Sequence, residues 1–387
     1  MYDKHLQVFK QPTDHNRWDR QIEVVSTMND LEEGLRIEII SALNFLEMEL
    51  GSGFLKTKKL NHPIRQMISN KAEWQLQELI QFVATLKTLK ECDSNYSKLI
   101  KKLLSIEKSR SEGIPFVEIA GGYLKENFLA RFLDESTVGK SPDIEIVNPE
   151  NNDKFFIEVS MVNDSEKTNL LTDNYYFLHH QFHFVPPIYL CTGRQKAEIA
   201  KIHYTEIQKI ISTAKKEVEA SQQIVSYSDE RFEFSLAPFD LIEKLNEICE
   251  QNGTQRNDIS GLPLSFDETG RLVKNKIKLK SKQIPINKNG LLYFPVNPLF
   301  FMTTHVANSI DSLEKCIGKF TNILGVVLYS KILGQLEEQI VEMGKHIFIR
   351  TIINQGLCHE LLFIYNHNCK LIIQDDTINK IYKTFKI

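Results

Sequence analysis

Two short stretches decide how this chain is read. They are Ser141-Pro142-Asp143-Ile144-Glu145-Ile146-Val147 and, after a polar turn, Phe155-Phe156-Ile157-Glu158-Val159-Ser160-Met161-Val162. Successive side chains on a strand point to opposite faces. Ile144 and Ile146 therefore share one face, and Asp143 and Glu145 the other. On the second stretch Ile157, Val159 and Met161 share a face, with Glu158 and Ser160 opposite. The connection Asn148-Pro149-Glu150-Asn151-Asn152-Asp153 is dense in turn formers, so the two stretches predict a hairpin. If both apolar faces join one core, Asp143, Glu145 and Glu158 project together from the other side. Carboxylates about 4 Å apart repel by roughly 4 kcal/mol at an effective dielectric near 20. Such a cluster calls for a cation, a bound proton or water, and a hard divalent ion is the matching partner.

Working outward, the 387 residues are enough for two or three domains. Hydrophobic content of 42% and charged content of 25% are those of an ordinary globular chain. A net charge of -3 decides nothing about nucleic acid, because the distribution of charge matters more than its sum. The six cysteines are scattered, which suits a reducing cytoplasm better than a disulfide framework. The longest apolar run, Ile323 to Leu328, is far too short to span a bilayer, so no membrane is expected as a partner.

Residues before Trp18 lack periodicity. From Trp18 to about Arg110 apolar residues recur at helical spacing: Leu31, Leu35, Ile39, Leu43 and Leu46, then Leu76, Leu79, Ile80, Val83 and Leu86, then Leu99, Ile100 and Leu103. These predict a helical bundle over residues 1–110, a scaffold or the contact surface for a protein partner or second copy. Gly113-Ile114-Pro115 marks the expected boundary.

A Pro-Asp strand followed by Glu158-Val159-Ser160 on the next strand, with a helix before them, resembles the PD-(D/E)xK nuclease superfamily. The resemblance covers Phe116 to Val162, and its motif is short. It implies an α/β fold: the N-terminal helical bundle, then a restriction-endonuclease-like mixed sheet flanked by helices over residues 111–387, with an elaboration at about 165–300. The helix Val306–Phe320 and the apolar strand Asn322–Tyr329 would complete the αβββαβ core. The implied metal ligands are Asp143, Glu158 and, from the expected helix Phe116–Asp134, Glu126, holding Mg²⁺ or Mn²⁺; Glu118 is the less favoured carboxylate. The chain departs from the motif where Ser160 replaces the family's lysine. The implied catalytic set is thus Asp143, Glu158, Ser160, Glu126 and Lys140, with Lys125, Lys315 and Lys319 as other lysines that could serve. The implied function is metal-dependent hydrolysis of phosphodiester bonds in nucleic acid, DNA rather than RNA on family grounds. The alternative is a catalytically inactive protein of that fold, a nucleic-acid-binding or assembly subunit. The change to Ser160 favours the alternative; the retained Asp143 and Glu158 favour the enzyme.

A second informative stretch is Lys274-Asn275-Lys276-Ile277-Lys278-Leu279-Lys280-Ser281-Lys282. Its alternation reads as a strand with Lys274, Lys276, Lys278, Lys280 and Lys282 on one face. A phosphate backbone suits such a row, as does the guarding of a sheet edge. Other motifs fail. Gly139-Lys140-Ser141 has Asp134 where a phosphate loop needs glycine. Cys358-His359 and His367-Asn368-Cys369 lack zinc-site spacing. In the stretch from Tyr175 to Phe184, dense in aromatics and histidines, packing is a better account than base stacking.

Overall fold

A computed structural model of the chain describes residues 16–57, 62–93, 95–105, 113–133, 141–161, 166–262, 268–297, 299–302, 305–333, 336–354, 357–370 and 372–385. Six principal helices come first: α1 (Trp18–Ser26), α2 (Glu33–Leu50), α3 (Pro63–Ser69), α4 (Glu73–Cys92), α5 (Tyr96–Leu104) and α6 (Gly113–Lys125). The expected stripes are their buried faces: Ile39, Leu43 and Leu46 on α2, and Leu76, Leu79, Val83 and Leu86 on α4. The Asp93 carboxylate accepts the backbone N–H of Asn95, just before α5, and that of Phe132, tying the helices to the first strand.

That strand, β1 (Leu129–Phe132), starts inside the span expected to be helical as far as Asp134. The helix stops at Lys125, and Asn127 then takes a left-handed conformation (φ 57°). β1 pairs with β2 (Ile144–Val147), and β2 with β3 (Lys154–Val159), both antiparallel. The hairpin has the expected faces: Ile144 stands opposite Ile157, and both are fully buried.

The chain divides into two compact units, residues 163–267 forming one and the remainder the other. The inserted unit is a four-stranded sheet, order β5-β6-β4-β7: β4 (Leu190–Gln195), β5 (Val225–Ser228), β6 (Phe232–Ala237) and β7 (Asp258–Ser260). Its helices are α7 (Glu166–His183), α8 (Tyr204–Ser221) and α9 (Ile242–Asn252). Phe177 and Phe182, from the aromatic stretch, are core residues here. The buried Lys215 ammonium donates to the carbonyls of Gln181 and Val185, capping the end of α7.

The expected boundaries differ from these. No domain border falls at residue 110, because α1–α6 and the sheet share one apolar core running from Trp18 through Ile157 to Phe385. The insertion ends at residue 267 rather than near 300.

After it come α10, running as Glu268–Arg271, a π-helical turn Leu272–Lys276 and Ile277–Ser281, then β8 (Asn289–Pro295), α11 (His305–Ile317) and β9 (Ile323–Leu333). β10 (Gln339–Met343), β11 (His346–Asn354), β12 (Leu357–Tyr365) and α12 (Asp375–Thr384) end the described chain. The large sheet has the order β1-β2-β3-β8-β9-β12-β11-β10, parallel at β3-β8 and β8-β9 and antiparallel elsewhere. The strand beside β3 is therefore β8, and the apolar strand β9 lies next to β8. Every residue of β8 is buried, as a central strand requires. Along β9, Val326 and Leu328 face one core while Val327 and Tyr329 face the other. Gly325 on β9 leaves room for the Phe363 ring, which a Cβ there would strike. Thus α1–α6 cover one face of the sheet, and α10 and α11 pack on the other.

Candidate active site

The hairpin register sets the site. Ile144 pairs with Ile157, and the Asp143 N–H continues the ladder to the Ile157 carbonyl at 3.0 Å. One step on, Asp143 lies directly across from Glu158, where like charges are mutually destabilising. Glu158 is 1% exposed and sits beside Leu292 of β8, so its side chain is on the α10 face of the sheet. The two carboxyl groups interact directly. Asp143 Oδ2 also accepts the Val159 N–H at 2.8 Å. Lys102 Nζ lies 3.8 Å from Oδ1, while also sitting over the Phe116 ring.

The cations come largely from α10. Lys280 Nζ donates to Glu158 Oε1 at 2.6 Å. Lys276, one turn earlier, donates to the Met161 carbonyl at 2.7 Å and reaches Ser160 Oγ at 3.5 Å. With its amide nitrogen turned inward, Gln283 donates to both Glu158 oxygens. The lysine stretch is therefore helical, not a strand, which corrects the expected single row. Leu279 decides the matter physically: a strand would bury it with Ile277, yet it is 49% exposed while Ile277 is fully buried. The π turn adds a residue per turn, and Leu272 and Ile277, five apart, both reach the core. Lys276 and Lys280 point at the acidic strand, and Lys274, Lys278 and Lys282 are exposed.

Burial pushes the Glu158 carboxyl up, Asp143 beside it pushes further, and Lys280 opposes both; the result is a value of about 8. Burial likewise raises Asp143, against Lys102 and the Val159 N–H. A 2.6 Å ion pair and a raised carboxyl look inconsistent, but Lys280 bonds Glu158 and Lys102 stays 3.8 Å from Asp143, and burial together with the facing carboxyl outweighs the ammoniums at Glu158. The pair titrates as a unit and keeps a proton well above the ordinary carboxylate range.

Other expected site residues lie elsewhere. Glu126 follows α6 beside the Val147 end of the hairpin, whereas Asp143 is at the other end, about 13 Å of strand away. Glu118 is bound to Lys331 at 2.8 Å. Glu145 pairs with Lys154 at 3.7 Å. Lys140 lies outside the described residues. Lys125 donates to Gln81. Cys358-His359 and His367-Asn368-Cys369 sit at opposite ends of β12, so the two segments form no joint zinc site. The sequence reading missed Lys280 and Lys276 as partners of the acidic pair. Their four-residue spacing was the available signal, masked by the period-two alternation of the same lysines. No pair among the six cysteines forms a disulfide. Among the described residues no helix is long and apolar enough to cross a membrane.

Comparison of the chain with protein-family models, with curated proteins and with solved structures finds no match.

Proposed function

We propose that the protein is a divalent-metal-dependent phosphodiesterase acting on nucleic acid, with Asp143 and Glu158 as the metal-holding pair and Lys280 in the role of the lysine that Ser160 displaces. The observation that carries this reading is the pair of opposed carboxyls, Glu158 buried and Asp143 part-buried, with an ammonium 2.6 Å from Glu158. The donor set fits Mg²⁺ or Mn²⁺: hard oxygens, mutually repelling, whose burden of charge a divalent ion relieves. Bound there, the ion would polarise a phosphoryl oxygen and lower the pKa of a water. Lys280 would release Glu158 and hold its ammonium toward phosphate, while Lys276 keeps Ser160 and the strand end in place. The resemblance to PD-(D/E)xK nucleases supports the reading in the order helix, Asp strand, Glu strand. The exposed Lys274, Lys278 and Lys282 support contact with a phosphate backbone, and DNA as substrate rests on the resemblance alone. The cysteines without disulfides suit a cytoplasmic site of action.

The same 2.6 Å bond supports a second reading. Lys280 already answers Glu158 without a metal, as a non-catalytic nucleic-acid-binding subunit would require. Cleavage of single- and double-stranded DNA and RNA with Mg²⁺ or Mn²⁺ separates the two. The expected result is activity that Lys280→Ala lowers by about a hundredfold or more, as for removal of a group aimed at developing charge. Adding Ser160→Lys to Lys280→Ala should restore part of it. Inert wild type with intact nucleic-acid binding establishes the second reading.

A further inference from the structure

Two helices meet the Asp143–Glu158 pair, and α10 is one of them. The other is α5, which packs on α2 and α6, buries Tyr96, Leu99, Ile100 and Leu103, and carries three lysines and no acidic residue. Residues three and four apart share a face of a helix, so Lys98, Lys101 and Lys102 form one basic face. Lys98 and Lys101 are exposed. Lys102 is the innermost. Its Nζ lies 3.8 Å from Asp143 Oδ1, and its side chain is 25% exposed, within reach of a ligand. The same Nζ rests 3.9 Å from the centroid of the Phe116 ring, whose face attracts a cation and holds it at the edge of the site. α10 repeats the arrangement from a distant part of the chain: Lys280 bonds Glu158 at 2.6 Å, and Lys278 and Lys282 beside it are exposed. One ammonium thus stands at each carboxyl, and each belongs to a helix whose further lysines face water.

We infer that α5 is a second nucleic-acid-binding element of this site. Lys98, Lys101 and Lys102 take phosphates of the same duplex whose backbone α10 contacts, and Lys102 takes the one nearest the acidic pair. Lys98 and Lys102 lie about 6 Å apart along the helix axis, so each meets its own phosphate. The carboxyls alone repel a polyanion; α10 answers that repulsion at Glu158, and α5 answers it at Asp143. The inference rests on the reading of Asp143 and Glu158 as a nucleic-acid site, but it concerns binding and requires no bond to be cut.

The test is fluorescence anisotropy of a labelled DNA duplex titrated with the full chain, without divalent metal, over a range of salt. Changing Lys98, Lys101 and Lys102 together to Gln should flatten the slope of log affinity against log salt by about 2.7, from roughly -0.9 per contact. Lys102→Gln alone should flatten it by about 0.9. The triple change to Arg keeps the charges and should keep the wild-type slope, which a merely structural role for these lysines does not require. An unchanged slope in the folded Gln variants overturns the inference, and so does a wild type that binds no duplex. Failure of the phosphodiesterase reading looks different: a wild type with this salt response that cuts no nucleic acid keeps α5 as a binding element and gives the non-catalytic subunit.

Discussion

The two faces of the large sheet each carry a part-buried cluster of two carboxylates with lysine, and the clusters behave oppositely. On the α4/α6 face Lys331 stands between Glu78 and Glu118. Burial pulls its ammonium down, but Glu118 and then Glu78 outweigh that and raise it. On the α10 face Asp143 and Glu158 oppose each other directly, Lys280 bonds Glu158 at 2.6 Å, Lys102 stands 3.8 Å from Asp143, and Glu158 is pushed up to about 8. The residue types are alike, with one more lysine at the Asp143–Glu158 pair, and the order of charges differs. In minus-plus-minus no like charges face each other, whereas Asp143 and Glu158 face each other directly between their flanking ammoniums, and that repulsion is what a metal ion would answer. A cluster frustrated in this way is the better functional candidate.

The largest expected effect separates the clusters by activity. Glu158→Gln should lower metal-dependent cleavage by about a thousandfold, since losing a metal-holding carboxylate removes several kcal/mol of charge stabilisation. Glu118→Gln should leave the rate within about twofold. Steady-state cleavage by both folded variants checks this, and comparable losses would erase the distinction between the faces.

Next in size is the salt response of nucleic-acid binding. Helical geometry leaves Lys274, Lys278 and Lys282 exposed, so three phosphate contacts replace the five of an extended row. At roughly -0.9 per contact on duplex DNA they contribute about -2.7 to the slope of log affinity against log salt. Changing all three to Gln should flatten the slope by that amount in a fluorescence titration. An unchanged slope would remove α10 from the nucleic-acid interface.

Breaking the satisfied cluster should cost more than breaking the frustrated one. Lys331→Met leaves Glu78 and Glu118 without their cation and should destabilise by about 2 kcal/mol, discounted from the value for fully buried pairs because the lysine side chain is 30% exposed. Lys280→Met should destabilise less, because Glu158 can take up a proton instead. Urea unfolding at pH 7 compares them.

How much of this was legible follows from where each signal is local. The hairpin was readable because Ile144, Ile146, Ile157 and Val159 alternate about a turn of Asn, Pro and Asp, and that register alone sets Asp143 against Glu158. The helical stripes were readable for the same reason at a different period. The lysine stretch misled because its alternation imitates a strand, and only burial of Leu272 and Ile277 through a π turn shows otherwise. β8 passed unnoticed although Leu291-Leu292-Tyr293-Phe294 is a continuous apolar run. Its place beside β3 depends on a parallel pairing across the whole insertion, which no local pattern encodes. Glu126 was placed by resemblance to a longer helix, and Asn127 ends that helix too early to bring it near Asp143.

The smallest effect is the one that reads the frustration itself. In the metal-free protein Glu158 is raised above its unfolded value, so the folded state binds the extra proton between about pH 4.5 and 8. The stability this gives is complete below the unfolded pKa and is lost as pH rises through the folded one. Asp143, also raised, acts in the same direction. One such group changes stability by at most about 1.4 kcal/mol per pH unit, so wild type should lose about 1 kcal/mol between pH 6.5 and 7.5. His359, held at about 3, works with the opposite sign, but mainly below pH 6.5, outside this window. Subtracting the Glu158→Gln curve cancels what the two proteins share. The difference should fall with pH without metal and flatten when Mg²⁺ or Mn²⁺ is added, because the ion takes the place of the proton. A difference curve that is level in both conditions would mean that Lys280 neutralises Glu158 fully, and the two faces of the sheet would then be electrostatically alike.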